Sequence, residues 1–381
     1  MRLDLPENAE FIIKRLETAG FEAYVVGGCV RDMLMGREVN DFDITTSSLP
    51  EETKSVFSDL RVLETGIKHG TVTVMVDGQP FEVTTFRVES GYSDSRHPDS
   101  VTFVREVYRD LARRDFTVNA IAYSPSVGIV DPHGGREDIE KRVIRAVGDP
   151  YKRFSEDALR ILRALRFSST LGFQIEAETA KAINTLAHTV KSVSGERIYT
   201  ELNKLLLGKN CQYVIDEYID AIRAIIPANG DFKSVSRCPG DAAMRLYCLC
   251  GEGIEATLSA LRADNRTKHI CRLLSVSTPI PPSLPELKLY ISSLGRDDAE
   301  IVVSYRKAVY GEDEEYNSSR VLSSNEPLFI SDLAIKGNDL LALGLAPKQL
   351  GAVLASLLRA VINEEINNSR EELLEKAKEY K

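Results

Sequence analysis

The sequence predicts an α+β protein: a head with a small mixed sheet, followed by an extended all-helical neck, body and tail. Three observations carry that prediction. Up to about residue 150, short apolar strands alternate with amphipathic helices. From about Tyr151 the pattern changes to helical periodicity and largely stays there. The charge changes sign at the same point: residues 1–150 carry 18 Lys+Arg against 26 Asp+Glu, residues 151–210 carry 10 against 6, and the remainder 20 against 25. One central segment is therefore basic inside a chain of net charge −9, and a polyanion should meet the molecule there.

A chain of 381 residues exceeds one core of ordinary size. We divide it into a head (1–150), a neck (151–210), a body (211–300) and a tail (301–381). The hydrophobic fraction of 43% and charged fraction of 28% are those of a soluble globular protein. No apolar run is long enough to cross a bilayer and the N-terminus lacks a signal-peptide core, so the expected location is cytoplasmic, with no membrane partner. Six cysteines without a C-x-x-C pair, and five scattered histidines, argue for small buried thiols rather than zinc.

In chain order, an amphipathic helix from Ala9 to Thr18 leads through Gly20 into a strand, Tyr24-Val25-Val26. Gly27-Gly28 opens a helix ending near Gly36, and a strand is expected around Asp41–Ile44. A helix follows Pro50, then strands at Thr71–Val76 and Phe81–Arg87, joined by the turn Val76-Asp77-Gly78-Gln79. The polar stretch Glu89 to Ser100 has the composition of a loop. Beyond Tyr151, apolar stripes mark helices over Ala158–Phe167, Ile198–Leu207, Tyr213–Ile225, Leu350–Ile362 and Glu371–Lys378, with Pro347 at a helix start.

Asp41-Phe42-Asp43 is the first block with chemical content. On a strand both carboxylates point one way while Phe42 and Ile44 pack the other. Two adjacent hard carboxylates suit Mg²⁺, which takes its other ligands from water and substrate phosphates. Alone the pattern is weak, because D-x-D also occurs on surface turns and in nucleotide-sugar enzymes. Gly27-Gly28-Cys29-Val30-Arg31-Asp32 precedes it, after a strand and at a helix start. Glycines there let the backbone approach a triphosphate, and Arg31 adds a charged fork; a plain strand-to-helix turn is the alternative. Glu82 is a candidate third carboxylate or a solvated strand residue. In Arg113-Arg114-Asp115-Phe116-Thr117-Val118-Asn119-Ala120, paired arginines could grip phosphate while Asp115 orients one guanidinium, or form a surface ion pair.

In this order the blocks resemble the class II tRNA nucleotidyltransferase and poly(A) polymerase family of the polymerase-β-like superfamily. The resemblance continues in Gly148-Asp149-Pro150, in Arg153-Phe154-Ser155-Glu156-Asp157-Ala158-Leu159-Arg160 through Phe167, and in Gly195-Glu196-Arg197-Ile198 with Glu201-Leu202. It spans Tyr24 to about Leu206, and more loosely Lys348–Lys381, which looks like the tail of bacterial members. Gly91-Tyr92-Ser93-Asp94-Ser95-Arg96-His97-Pro98 resembles the loop of members that add the terminal A.

The resemblance implies template-independent addition of C, C and A to the 3′ end of tRNA from CTP and ATP, with pyrophosphate released. Within the family, A-only addition and poly(A) synthesis compete; outside it, a small-molecule nucleotidyltransferase would share the Gly-Gly and D-x-D blocks. Asp41 and Asp43, with Glu82, are the expected catalytic carboxylates and the first two the Mg²⁺ ligands. Gly28, Arg31, Arg114, Asp157, Arg160, Arg163 and Arg166 are the expected nucleotide-binding set, Arg166 with the alternatives of buttressing the head or meeting RNA phosphate. Asp157 and Arg160, read as neighbours three apart on one helix, form a protein template. The carboxylate accepts from the exocyclic amine of cytosine or adenine and the guanidinium donates to the adjacent ring nitrogen. Uracil and guanine offer the reverse pattern and leave both groups mispaired. The helical tail is expected to hold tRNA by shape and phosphate contacts, and the protein is taken to be a monomer.

Overall fold

The computed structural model describes residues 2–39, 41–90, 100–312, 318–324 and 326–381. The chain forms two compact units, Met1–Ala228 with Ala260–Arg262, and Asn229–Ser259 with Ala263–Lys381.

The first unit opens with α1 (Glu7–Thr18), β1 (Ala23–Val26), α2 (Gly28–Leu34), β2 (Ile44–Thr46) and α3 (Pro50–Val56). Next come β3 (Val62–Gly66), β4 (Thr71–Val76), β5 (Gln79–Thr85), β6 (Arg87–Ser90), β7 (Ser100–Phe103) and α4 (Val107–Ala112). β8 (Ala122–Ser124), β9 (Gly128–Val130), α5 (Gly135–Lys141) and β10 (Val143–Ile144) complete the head. Seven strands form a mixed sheet in the order β3-β4-β5-β2-β1-β8-β9, in which only β2 and β5 run parallel. The central strand β1 is buried along its whole length, which explains its uninterrupted apolar run. β5 alternates: Phe81, Val83 and Thr85 face the core, whereas Glu82 stands exposed. The expected β4–β5 turn forms, with positive φ at Asp77 and Gly78 and Val76 paired with Gln79.

Two expected strands differ. The one expected around Asp41–Ile44 begins only at Ile44. The last rung of its ladder is the Val26 N–H donating to the Asp43 carbonyl at 3.0 Å; Gly27 then turns away at φ +83 and donates to Ile121 instead, so among the described residues no strand pairs with Asp41 and Phe42. The expected Phe81–Arg87 strand is interrupted at the fully buried Phe86, whose N–H donates to Thr46, and Arg87–Ser90 pairs with Ser100–Phe103 in a separate ribbon. The segment Gly91–Pro98 lies outside the described residues.

Helices take over after residue 150 as expected: α6 (Pro150–Glu156), α7 (Leu159–Leu171), α8 (Ala177–Leu186), α9 (Gly195–Leu207) and α10 (Cys211–Ile225), with a two-residue strand β11 (Gln174–Ile175) beside β10. α7 buries Leu159, Ile161, Leu162, Ala164, Leu165 and Phe167, and Phe167 meets Phe116 of the head edge-on at 5.7 Å. The second unit is helical throughout its described part. The Leu350–Ile362 helix follows a 3₁₀ turn at Pro347–Gln349 and packs against Arg370–Ala377 around Leu340, Leu357 and Leu373. All six cysteines are buried and free. No helix among the described residues is long and apolar enough to cross a membrane.

One close approach ties the sheet to the site. A Cβ built on Gly135 would lie 2.2 Å from the Thr117 carbonyl oxygen, so α5 can rest on the 3₁₀ turn Thr117–Asn119 only with glycine there. Gly135→Ala is expected to destabilise the protein by about 1–3 kcal/mol, the usual cost of overpacking. A mutant whose thermal midpoint equals that of the parent would refute this account of Gly135.

Candidate active site

Asp41 and Asp43 both line a cleft of 910 Å³ with Phe42, Thr73, Phe81 and Glu82. The parallel register pairs Ile44 with Val83, and Asp43 and Glu82 each precede that rung by one residue. Both sequence-predicted aspartates and Glu82 thus open into one cavity, even though Asp41 and Asp43 precede the strand. Asp43 keeps surface open to solvent, yet the atoms crowded round it push its pKa up; the Asp41 charge adds to that shift and Arg114 opposes it. The buried Cys29 thiol is pushed up to about 11 by burial and then by the Asp43 charge, which places that carboxylate close to the start of α2.

The Gly-Gly turn lies next to the paired arginines. A Cβ on Gly27 would sit 3.0 Å from Nη1 of Arg114, so glycine makes room for that guanidinium. Arg113 and Arg114 are not oriented by Asp115, as expected above, but by Asp110, a fully buried carboxylate one turn earlier. Arg113 Nε and Nη2 donate to Asp110 Oδ1 at 3.0 and 2.8 Å, and Arg114 Nη2 to Oδ2 at 3.2 Å. Burial by itself would raise the Asp110 pKa, but the two guanidinium charges outweigh it and hold it below the ordinary value. Gly28 begins α2, and Arg31 does not project freely from that helix. It is buried, donating through Nη1 to Asn119 Oδ1 at 2.7 Å and through Nε and Nη2 to Asp32 at 3.0 and 2.7 Å.

The neck departs from the expected Asp157/Arg160 geometry. Asp157 has φ −142 and ψ 104 and lies between α6 and α7, so it shares no helix with Arg160. A carboxylate that accepts from the N–H at the mouth of the next helix favours such a break: Leu159 N donates to Asp157 Oδ1 at 3.0 Å. Asp157 pairs with Arg197 of α9 at 2.9 Å. Arg160 Nη1 donates to Glu156 at 2.8 Å and to the Arg153 carbonyl at 3.1 Å, and Nη2 to the Arg113 carbonyl at 3.2 Å. That leaves Nε–H and one Nη2–H unengaged by these bonds.

Arg163 binds Asp115 through Nε at 2.8 Å and through Nη2 at 2.7 Å, and Asp115 also accepts from Asn119 at 3.3 Å. Arg166 Nε lies 2.7 Å from Glu201 Oε2 without hydrogen-bond alignment, and its guanidinium stacks 3.9 Å from the centroid of Phe167. Arg31 and Arg166 line a second cleft, of 420 Å³, with Arg37, Phe167 and Lys204. The structure therefore links Arg31, Asn119, Asp115, Arg163 and Glu201 in one chain of contacts. Asp110, Asn119, Arg197 and Glu201 were not singled out from the sequence. The only signal available was that each lies within or beside a quoted block, five residues or fewer from a predicted arginine or in the Gly195–Leu202 run.

Three family models match this chain. Residues 23–145 match the poly A polymerase head domain, residues 172–221 a probable RNA- and SrmB-binding site of polymerase A, and residues 244–377 a putative tRNA nucleotidyltransferase domain 2. The CCA-adding enzyme of Geobacillus sp. (strain WCH70) is 37% identical over 387 residues, covering 96% of this chain and 94% of that enzyme. The chain belongs to the CCA-adding enzyme family. The Leuconostoc mesenteroides CCA-adding enzyme is 52% identical over 209 residues, spanning 55% of this chain and 52% of the relative. A crystal structure of the Bacillus stearothermophilus CCA-adding enzyme in complex with CTP superposes with a TM-score of 0.79 at 34% identity, covering 98% of this chain and 96% of that one.

Membership among these nucleotidyltransferases implies a divalent cation, and the cleft fits one. Its lining offers carboxylates and no His or Cys, the donor set of a hard cation. Burial raises the Asp43 pKa first and the Asp41 charge adds to it, and a bound cation would offset both. Among the described residues no three His, Cys, Asp or Glu are gathered closely enough to cage a metal. Glu82 shares the cavity without completing such a cage, which suits an ion drawing its other ligands from substrate phosphates.

Proposed function

We propose that this CCA-adding enzyme family member adds C, C and A to the 3′ end of tRNA from CTP and ATP in the cytoplasm, releasing pyrophosphate at each addition. The observation that carries the reading is the Asp41/Asp43/Glu82 cavity in the head of a chain similar to a CCA-adding enzyme along nearly its whole length.

Asp41 and Asp43 hold Mg²⁺, with Glu82 as the third carboxylate of the cavity. Mg²⁺ bound there supplies Lewis-acid stabilisation of the charge that builds on the transferring phosphate. The tRNA 3′-hydroxyl attacks the α-phosphate and pyrophosphate departs. Gly28 and its neighbour Gly27 let the backbone approach the triphosphate, while Arg114, steadied by Asp110, offsets its charge beside Asp43. Arg31, held by Asn119, lies against Gly28 of that turn and adds its charge there. Asp157 accepts from the exocyclic amine of the base, and Arg160 donates its unengaged N–H to the ring nitrogen. Arg163 and Arg166 extend the cationic wall of the neck (151–210), and the body (211–300) and tail (301–381) hold the tRNA.

The test uses purified protein and tRNA transcripts lacking one, two or three of the terminal nucleotides, each with every labelled nucleoside triphosphate in turn. C is expected on transcripts lacking two or three nucleotides and A on the transcript lacking one, with UTP and GTP used at least about 100-fold less well. UTP incorporation at a rate comparable to CTP would overturn the protein template. A retained without any C would instead identify A-only addition.

A further inference from the structure

We propose that Arg197 is a positioning residue for nucleotide selection: it holds the Asp157 carboxylate in the orientation that reads the base. The proposal rests on the assignment of Asp157 as a base-reading group.

Asp157 sits in the break between α6 and α7 with extended φ and ψ, so no helical backbone restrains its side chain. Two donors restrain it instead. Leu159 N–H holds Oδ1 at 3.0 Å, and Arg197 Nη2, forty residues further along the chain, holds Oδ2 at 2.9 Å. With one donor on each oxygen the carboxylate plane is fixed, and each oxygen keeps a lone pair for a further donor. The group then offers acceptors only, which matches the amines of cytosine and adenine and mismatches the carbonyls of uracil and guanine. Without Arg197 only Oδ1 is held, and the carboxyl is free to turn about its terminal torsion, which is broad and two-fold. A turned or protonated carboxyl can donate to a carbonyl, and the discrimination is lost.

Two further observations point to orientation rather than stability as the reason for this pair. Arg197 Nη1 is buried without a hydrogen-bond partner among the described residues. An arginine retained to stabilise the fold would use its fork on both carboxylate oxygens. The anchor is also rigid. A Cβ on Gly195, two residues before Arg197, would lie 1.9 Å from the Ala260 carbonyl oxygen, so the first turn of α9 is pressed directly onto that backbone. The Arg197 N–H is tied to the Ser194 carbonyl at 3.1 Å.

The test compares full-length parent, Arg197→Gln, Arg197→Lys and Asp157→Ala. kcat/KM for CTP and UTP is measured on a transcript lacking the three terminal nucleotides, and CTP and UTP binding is measured without tRNA. Arg197→Gln is expected to lower the CTP-over-UTP ratio by about tenfold or more, in catalysis and in binding alike, and Arg197→Lys to restore part of it. A merely structural arginine would lower both nucleotides together and leave the ratio unchanged, and that result would overturn the proposal. If Arg197→Gln does not fold, a parental ratio in Arg197→Lys overturns it equally, since one ammonium cannot reproduce the planar fork. Asp157→Ala separates the two failures. Loss of selectivity there but not in Arg197→Gln removes Arg197 alone; unchanged selectivity in Asp157→Ala removes the base-reading assignment and the proposal with it.

Discussion

Asp41→Asn is expected to lower the rate of nucleotide addition on the order of 10³-fold, about 4 kcal/mol in the barrier, while leaving the fold intact. Asparagine keeps the shape of the side chain and removes the charge, so the cleft loses half of its charged donor pair and little packing. Asp41 is exposed and lies outside the β-ladder, which confines the effect to chemistry. The sign of a second readout follows from Asp43. Crowding and the Asp41 charge both raise its pKa, so removing that charge lowers it and leaves a single carboxylate without a repelling neighbour. Mg²⁺ should raise the thermal midpoint of the parent, because an ion that binds the folded state alone stabilises it by mass action. The rise should vanish in Asp41→Asn. A mutant retaining more than about a tenth of parental activity, or an undiminished Mg²⁺-dependent shift, would remove Asp41 from the catalytic set.

Asp115→Asn should destabilise the protein by about 2–3 kcal/mol at neutral pH, since it leaves the half-buried Arg163 guanidinium short of its main counter-charge. Asp115 is buried; Arg163 holds Oδ2, and Phe116 N–H donates to Oδ1 at 2.8 Å. Burial on its own would raise its pKa. The Arg163 charge and hydrogen bond, the Arg160 charge and the Phe116 N–H outweigh burial and hold the carboxyl down to about 2. The folded value lies below the unfolded one, so this stabilisation is fully present above the unfolded pKa of about 4. It is lost as pH falls from there through the folded value, and amounts to roughly 2 kcal/mol. The gap between parent and mutant unfolding free energies should therefore shrink by roughly 2 kcal/mol as the solution is acidified from about pH 5 to about pH 2. A difference that stays constant over that range would exclude an ionised, arginine-bound Asp115. Arg163 would keep Glu201, at 3.6 Å, and the more remote charge of Asp157, and the KM for CTP and ATP should rise together.

Much of the head could be read from residue pattern. The β4–β5 hairpin follows from Asp77-Gly78, which tolerate the positive φ that the turn requires. The helices of the neck and tail follow from apolar stripes wide enough to show at a period of 3.6 residues. The strand expected around Asp41–Ile44 starts three residues later, at Ile44, because periodicity reports which face a residue presents, not where a neighbouring strand stops. That limit was set by Gly27 turning out of the ladder.

The pairing of charges was less legible. From spacing, Asp115 belonged with Arg114 and Asp157 with Arg160. In the fold Asp115 holds Arg163, Asp110 holds both neighbouring arginines, and Asp157 is held by Arg197. Spacing rules describe neighbours on one continuous helix, and the break at Asp157 puts that carboxylate outside α7. Asp110 lies on the short helix α4, and its complete burial marks it as the group that positions Arg113 and Arg114.

By itself, the sequence determined that this chain has a mixed-sheet head and a helical remainder, that Asp41 and Asp43 form its candidate catalytic pair, and that its basic segment is residues 151–210. Those conclusions rest on periodicity, composition and ordered motifs, all carried by residues near one another in the chain. Only the tertiary structure decided which carboxylate serves which guanidinium. Opposite charges find each other across 40 or more residues of chain, as Arg163 finds Asp115 and Arg197 finds Asp157. Partial burial then makes each such pair costly to break, because the partner left behind keeps an uncompensated charge.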